Sequence, residues 1–125
     1  MKTITQCTAD ETKKYFIMYF DTVDLLTDAK YKYAQLEKAA TSVSKASEYR
    51  ALALEAERNL ELLKNRRRQF MANKLAIKPP DQPLIDKTKE LASALAKILA
   101  KEAQAAAIID IATKGFDAFN KLSEA

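Results

Sequence analysis

Histidine and tryptophan are absent from this chain, glycine occurs once (Gly115), cysteine once (Cys7) and proline three times (Pro79, Pro80, Pro83). Without histidine the chain lacks the commonest general base, the commonest metal ligand and the usual pH switch. One cysteine excludes a disulfide within the chain and a thiolate zinc site. A lone thiol also goes with a reducing compartment, so the expected location is the cytoplasm. Scarce glycine and proline mean few turns and long elements. No run of about 18 apolar residues occurs, so no membrane-spanning helix is expected. The opening residues MKTITQC lack the apolar stretch of a signal peptide. No glycine-rich phosphate loop, nucleophile elbow or CxxC pair can be assembled from these residues. The expectation is a protein that is not an enzyme and needs no cofactor and no metal.

What is present is helical. The 125 residues are 48% hydrophobic and 30% charged, enough for one domain over residues 1–125 with a real core. Ala, Leu, Lys and Glu dominate, all good helix formers, so the fold class is all-α. Thr8 followed by Glu11 is a capping box that starts a helix over about 8–39, with Tyr19, Val23, Leu26, Tyr33 and Leu36 at helical spacing. The polar run TSVSKAS (41–47) places a turn near Ala40–Ser44. A second helix over about 43–76 carries Tyr49, Ala53, Ala56, Leu60, Leu63 and Phe70 on one line and stops before Pro79 and Pro80. Asp81 or Pro83 opens a third, over about 82–122. Its line runs through Leu84, Leu91, Leu95, Ile98, Ala105, Ile109, Ala112, Phe116 and Phe119, a seam like that of a coiled coil, with a fray or kink at Gly115. Short connections make an up-down-up antiparallel three-helix bundle. The alternative is a helical hairpin that completes its core by dimerising.

Three features stand out from that frame. Residues 62–80 contain Lys64, Arg66, Arg67, Arg68, Lys74 and Lys78 and no acid, in a chain of net charge +4. Arg67 falls on the apolar line between Leu63 and Phe70, near Tyr15 and Phe16 of the first helix and Glu90 of the third, where a cation–π contact or an ion pair is structural. Arg66 and Arg68 fall on opposite flanks and are read as exposed. The run YFIMYF (15–20) wraps a helix with apolar side chains on every side. Either it seals the end of the core, or Tyr15, Phe16, Tyr19 and Phe20 form a contact patch beside Lys64, Arg66, Arg68 and Lys74, the residue types that anchor interfaces. The third helix has a further line of small residues, Ala92, Ala96, Ala100, Ala103 and Ala107, which predicts a homodimer contact or a partner groove.

Carboxylates gather too: Asp21, Asp24 and Asp28 share a face, as do Glu57 and Glu61. A di-metal bundle wants Glu-x-x-His on two helices, and no histidine is there to supply it. Such faces are ordinarily solvated and ion-paired. The functional expectation is a protein that binds another protein, as an adaptor, an immunity- or antitoxin-like inhibitor, a secretion chaperone or an assembly factor. The alternative is a nucleic-acid-binding bundle that uses the basic segment 64–78.

Overall fold

A computed structural model describes residues 1–124. The chain is all-helical, and its described residues form four helices: α1 (Ala9–Ala39), α2 (Val43–Met71), α3 (Gln82–Lys97) and α4 (Ala105–Asn120). Single 3-10 turns stand at Ile4–Gln6, Glu102–Gln104 and Lys121–Ser123. None of the helices is long and apolar enough to cross a membrane.

The starts of α1, α2 and α3 are chemically marked. Thr8 and Glu11 cap one another: Glu11 N donates to Thr8 Oγ1 (3.1 Å) and Thr8 N donates to Glu11 Oε1 (2.9 Å). Those bonds, with Lys2 at 3.0 Å, hold the Glu11 carboxyl below its usual range. Ser42 Oγ accepts from Lys45 N at the start of α2, and Asp81 Oδ1 accepts from Leu84 N at the start of α3.

The second helix ends at Met71, five residues short of the expected 76. Asn73 adopts a left-handed φ of 59°, and Lys74 N donates back to Gln69 O while Asn73 N donates to Phe70 O. This is a helix C-cap closed by a left-handed residue, a role that Asn fills when Gly does not. Lys74 and Lys78 therefore lie in an extended connection instead of on a helix. That connection is tied down: Lys2 and Ile77 exchange backbone bonds of 2.7 and 2.8 Å, and Lys78 N donates to Leu122 O (2.6 Å).

The expected single helix over 82–122 is two helices. Ile98 turns extended and Leu99 N donates to Gln104 Oε1, while Glu102 Oε1 accepts from Thr41 N across the α1–α2 turn. Nothing in ILAKEAQ (98–104) breaks a helix by itself. The cause is tertiary. A helix over 82–122 would run about 61 Å, against about 46 Å for the 31 residues of α1, and its far end would leave apolar surface in water. Folding back lays both 16-residue helices along α1. The three-helix arrangement is thus replaced by four helices in which sequence neighbours run antiparallel.

Helix α1 is the spine: it packs on α2 along one side and on α3 and α4 along the other, whereas α2 barely meets α4. Its buried positions include Tyr15, Met18, Tyr19, Leu25, Leu26, Ala29, Tyr33 and Leu36. In α3 and α4 the buried line is shifted from the expected one. Ile85 replaces Leu84, Ile108 replaces Ile109 and Gly115 replaces Phe116, so that Ala105, Ile108, Ala112, Gly115 and Phe119 follow in steps of three and four. Gly115 does not fray the end: α4 continues through it to Asn120. The buried hydroxyls of Thr22 and Thr88 donate to Met18 O (2.7 Å) and Leu84 O (3.0 Å), which removes the cost of burying them.

Candidate partner-binding surface

The basic and aromatic features meet at one end of the bundle, where the start of α1, the end of α2 and the end of α4 converge. An aromatic cluster closes the core there. Tyr15 packs on Phe70 (ring centroids 4.5 Å) and Phe119 (5.3 Å), Tyr19 packs on Phe119 (5.9 Å), and Phe16 meets Tyr15 and Phe70 edge-on. Burial pushes the Tyr15 hydroxyl well above its usual range, against the opposing pull of Arg66 and Arg67.

Of the four aromatics expected to form a contact patch, Tyr15 and Tyr19 are buried in this cluster and present no face to a partner. They face α4, which the folded-back chain brings onto α1. Phe16 is half-buried. Phe20 is 54% exposed, and its ring stands edge-on to Tyr19 at 5.2 Å.

The three arginines play three parts. Arg67 lies over the Tyr19 ring, 5.1 Å from its centroid, one turn along from the expected Tyr15 and Phe16 and without a bond to Glu90. Its Nε is buried with no hydrogen-bond partner. Arg66, expected to be exposed, is half-buried: its Nη1 donates to Asn120 O (3.3 Å) and to Ser123 Oγ, clamping the end of α4 to α2. The return of α4 creates that contact, since the carbonyls at a helix C-terminus need donors. Arg68 is exposed and makes no ion pair among the described residues, and the same holds for Lys74. Lys64 reaches Glu61 at 3.8 Å.

This assignment fixes a mutational result. Arg66→Ala and Arg67→Ala are each expected to cost about 1 kcal/mol in urea unfolding, the first through lost hydrogen bonds and the second through lost cation–π contact and packing. Arg68→Ala should stay within about 0.5 kcal/mol. A neutral Arg66→Ala would contradict the clamp.

The remaining expected features are dispersed or already occupied. The carboxylates are largely ion-paired: Asp21 with Lys89 (3.4 Å), Asp28 with the buried Lys32 (2.8 Å), Glu57 with Lys30 (3.5 Å) and Glu61 with Lys64. No three of Cys, Asp and Glu gather as a metal cluster among the described residues. The alanine line does not survive the fold as a stripe. Ala92 and Ala96 lie on α3, Ala100 and Ala103 in the connection, and Ala107 on α4, which runs the other way. Cys7 is half-buried, and burial and Glu11 push its thiol up.

Sequence reading missed Asn120 and Ser123 as receivers of Arg66, because only the reversal at 98–104 brings them there. It also missed a groove between α3 and α4, lined by Leu84, Leu91 and Ala118. Its one signal is apolar residues that stand a single position off the buried line. The chain matches no protein-family model, no curated protein and no solved structure.

Proposed function

We propose that this chain is a non-enzymatic helical protein that acts by binding a protein partner, with Phe16, Phe20, Lys64, Arg68 and Lys74 at the contact surface. The observation that carries this reading is Phe20. Its ring is half-exposed and packs edge-on against Tyr19, which itself lies beneath Arg67. An exposed aromatic beside arginine is of the residue types that anchor interfaces. The unpaired cations Arg68 and Lys74 supply the polar rim and favour an acidic partner surface. Adaptors, inhibitors and chaperones all work in this way. A cytoplasmic setting accords with the single thiol.

Affinity capture from the native host, read by quantitative mass spectrometry, tests the reading. Phe20→Ser should reduce enrichment of a specific partner by about tenfold or more, a loss of about 1.4 kcal/mol or more in binding, while leaving thermal unfolding nearly unchanged. Identical capture profiles for the two proteins would sink it.

A second reading rests on Arg68, Lys74 and Lys78, cations near one end with no carboxylate held against them among the described residues. If phosphate backbones are the target, generic duplex DNA or RNA should bind with strong salt dependence between about 50 and 200 mM, and Arg68→Ala should lower the salt slope by about one. The protein-binding reading expects no saturable duplex binding in that range.

A further inference from the structure

Antiparallel α3 and α4 leave a groove between the first half of α3 and the last half of α4. Leu84 and Leu91 stand two turns apart along one wall, about 10.5 Å, and Ala118 faces them from the other, all three half-buried. Thr88 and Leu122, both buried, close the floor. Two adjoining hollows share Leu84, Ala118 and Lys121, so they form one continuous trough, closed at one end by Pro79 and Pro80.

The banks are basic. Lys87 rises from α3, Lys121 from the end of α4, and Lys78 from the connection at the closed end. None of the three has a carboxylate within ion-pairing distance among the described residues. Lys114 is already held by Asp110 at 2.9 Å. Two acids share the rim, Asp117 and Asp81, which caps α3 and keeps its charge. The trough is therefore apolar below, with lysine in excess over acid along its rim.

Resting on the protein-binding reading, we propose that this α3–α4 groove receives an acidic amphipathic helix of a partner protein. The shape and the charge choose this occupant together. A concave trough between two helices fits a rod, and the small Ala118 and Thr88 let the rod approach closely. Leu84 and Leu91 match apolar side chains spaced three and four apart on the incoming helix, the pattern of helix-in-groove recognition. Asp or Glu on the flanks of that helix would meet Lys78, Lys87 and Lys121, which steer association and fix its orientation. A flat lipid surface does not reach a floor recessed between lysine banks, and leucine walls offer nothing to a phosphate backbone.

The test is selection from a displayed library of helix-forming peptides of about 12 residues, a little over three turns. Enriched peptides are then titrated by fluorescence anisotropy against the native chain, the Lys87→Glu/Lys121→Glu double variant and Phe20→Ser. The exposed lysines make the double variant safe for folding, which circular dichroism verifies. Enriched sequences should carry apolar residues at three- and four-residue spacing flanked by Asp or Glu. The double variant should weaken them by about tenfold or more, Phe20→Ser by less than about twofold, and added salt should weaken them further. The proposal is overturned if selection enriches nothing, if the enriched peptides are basic or uncharged, or if the double variant binds them as tightly as the native chain. Peptides lost only on Phe20→Ser, or a host partner that depends on Phe20 and ignores the double variant, would overturn the groove and leave the protein-binding reading standing. Sedimentation with phosphatidylglycerol vesicles that the double variant abolishes, with no peptide enriched, would assign the groove to a membrane surface and overturn the proposal as well.

Discussion

Phe119→Ala should remove about 3–5 kcal/mol of folding stability. The ring is almost wholly buried and lies where three helices converge, 5.3 Å from Tyr15 and 5.9 Å from Tyr19. Truncation removes its apolar area from the core. It also leaves a cavity whose walls are aromatic rings locked by one another, and such walls collapse poorly. The damage should spread along the end of α4. Asn120 O and Ser123 Oγ hold Arg66, and Leu122 O holds Lys78 N, and all of these follow Phe119 directly in sequence. A domain of this size has about 5–15 kcal/mol in total, so the variant should be marginal at ambient temperature. In urea titration the midpoint should fall while the slope stays constant. A loss under about 1.5 kcal/mol would show that α4 does not depend on this cluster, and the account of the basic end would fall with it.

How much of this was legible in the sequence follows the range of each signal. The cap at Thr8 is local chemistry and stands in the structure as read, while the start of α3, open between Asp81 and Pro83 in the sequence, is capped by Asp81. So does the helical phase of α2, which puts Leu63, Arg67 and Phe70 toward α1. The stop at Asn73 was equally local, yet it yields to the prolines further on if Asn is not credited with the left-handed conformation. The turn at 98–104 was illegible for a different reason. Its residues favour helix, and only the length of α1 and the need to bury Ile108 and Phe119 oppose it. Everything downstream inherits that gap. The core line of α4, the clamp on Arg66, the broken alanine stripe and the α3–α4 groove are all consequences of one reversal. Phe20 lay within reach of sequence reading because it needs only the phase of α1. Tyr15 and Tyr19 could not be told from it, since their burial depends on α4 arriving.

Gly115→Leu should be the other severe substitution, costing about 3 kcal/mol or more. A glycine inside a helix is about 0.5–1 kcal/mol worse than alanine, so the one glycine of this chain needs a reason to sit in the middle of α4. The reason is the approach of α4 to α1. A Cβ at position 115 would stand 2.8 Å from Leu25 Cδ1 and 3.0 Å from Leu25 Cδ2, and Leu25 is almost fully buried. Its methyl groups have no solvent to move into, so the helices must part or Leu25 must leave its rotamer. Gly115→Ala sets the two effects against each other. Helix propensity returns about 1 kcal/mol and overpacking takes about 1–3 kcal/mol, so a net loss of about 1 kcal/mol is expected. A double-mutant cycle isolates the contact. Leu25→Ala is itself destabilising, but it empties the space in question. In that background Gly115→Ala should reverse sign and stabilise by up to about 1 kcal/mol, because propensity alone remains. Equal effects of Gly115→Ala in both backgrounds, read by urea unfolding, would show that Leu25 is not what the glycine accommodates.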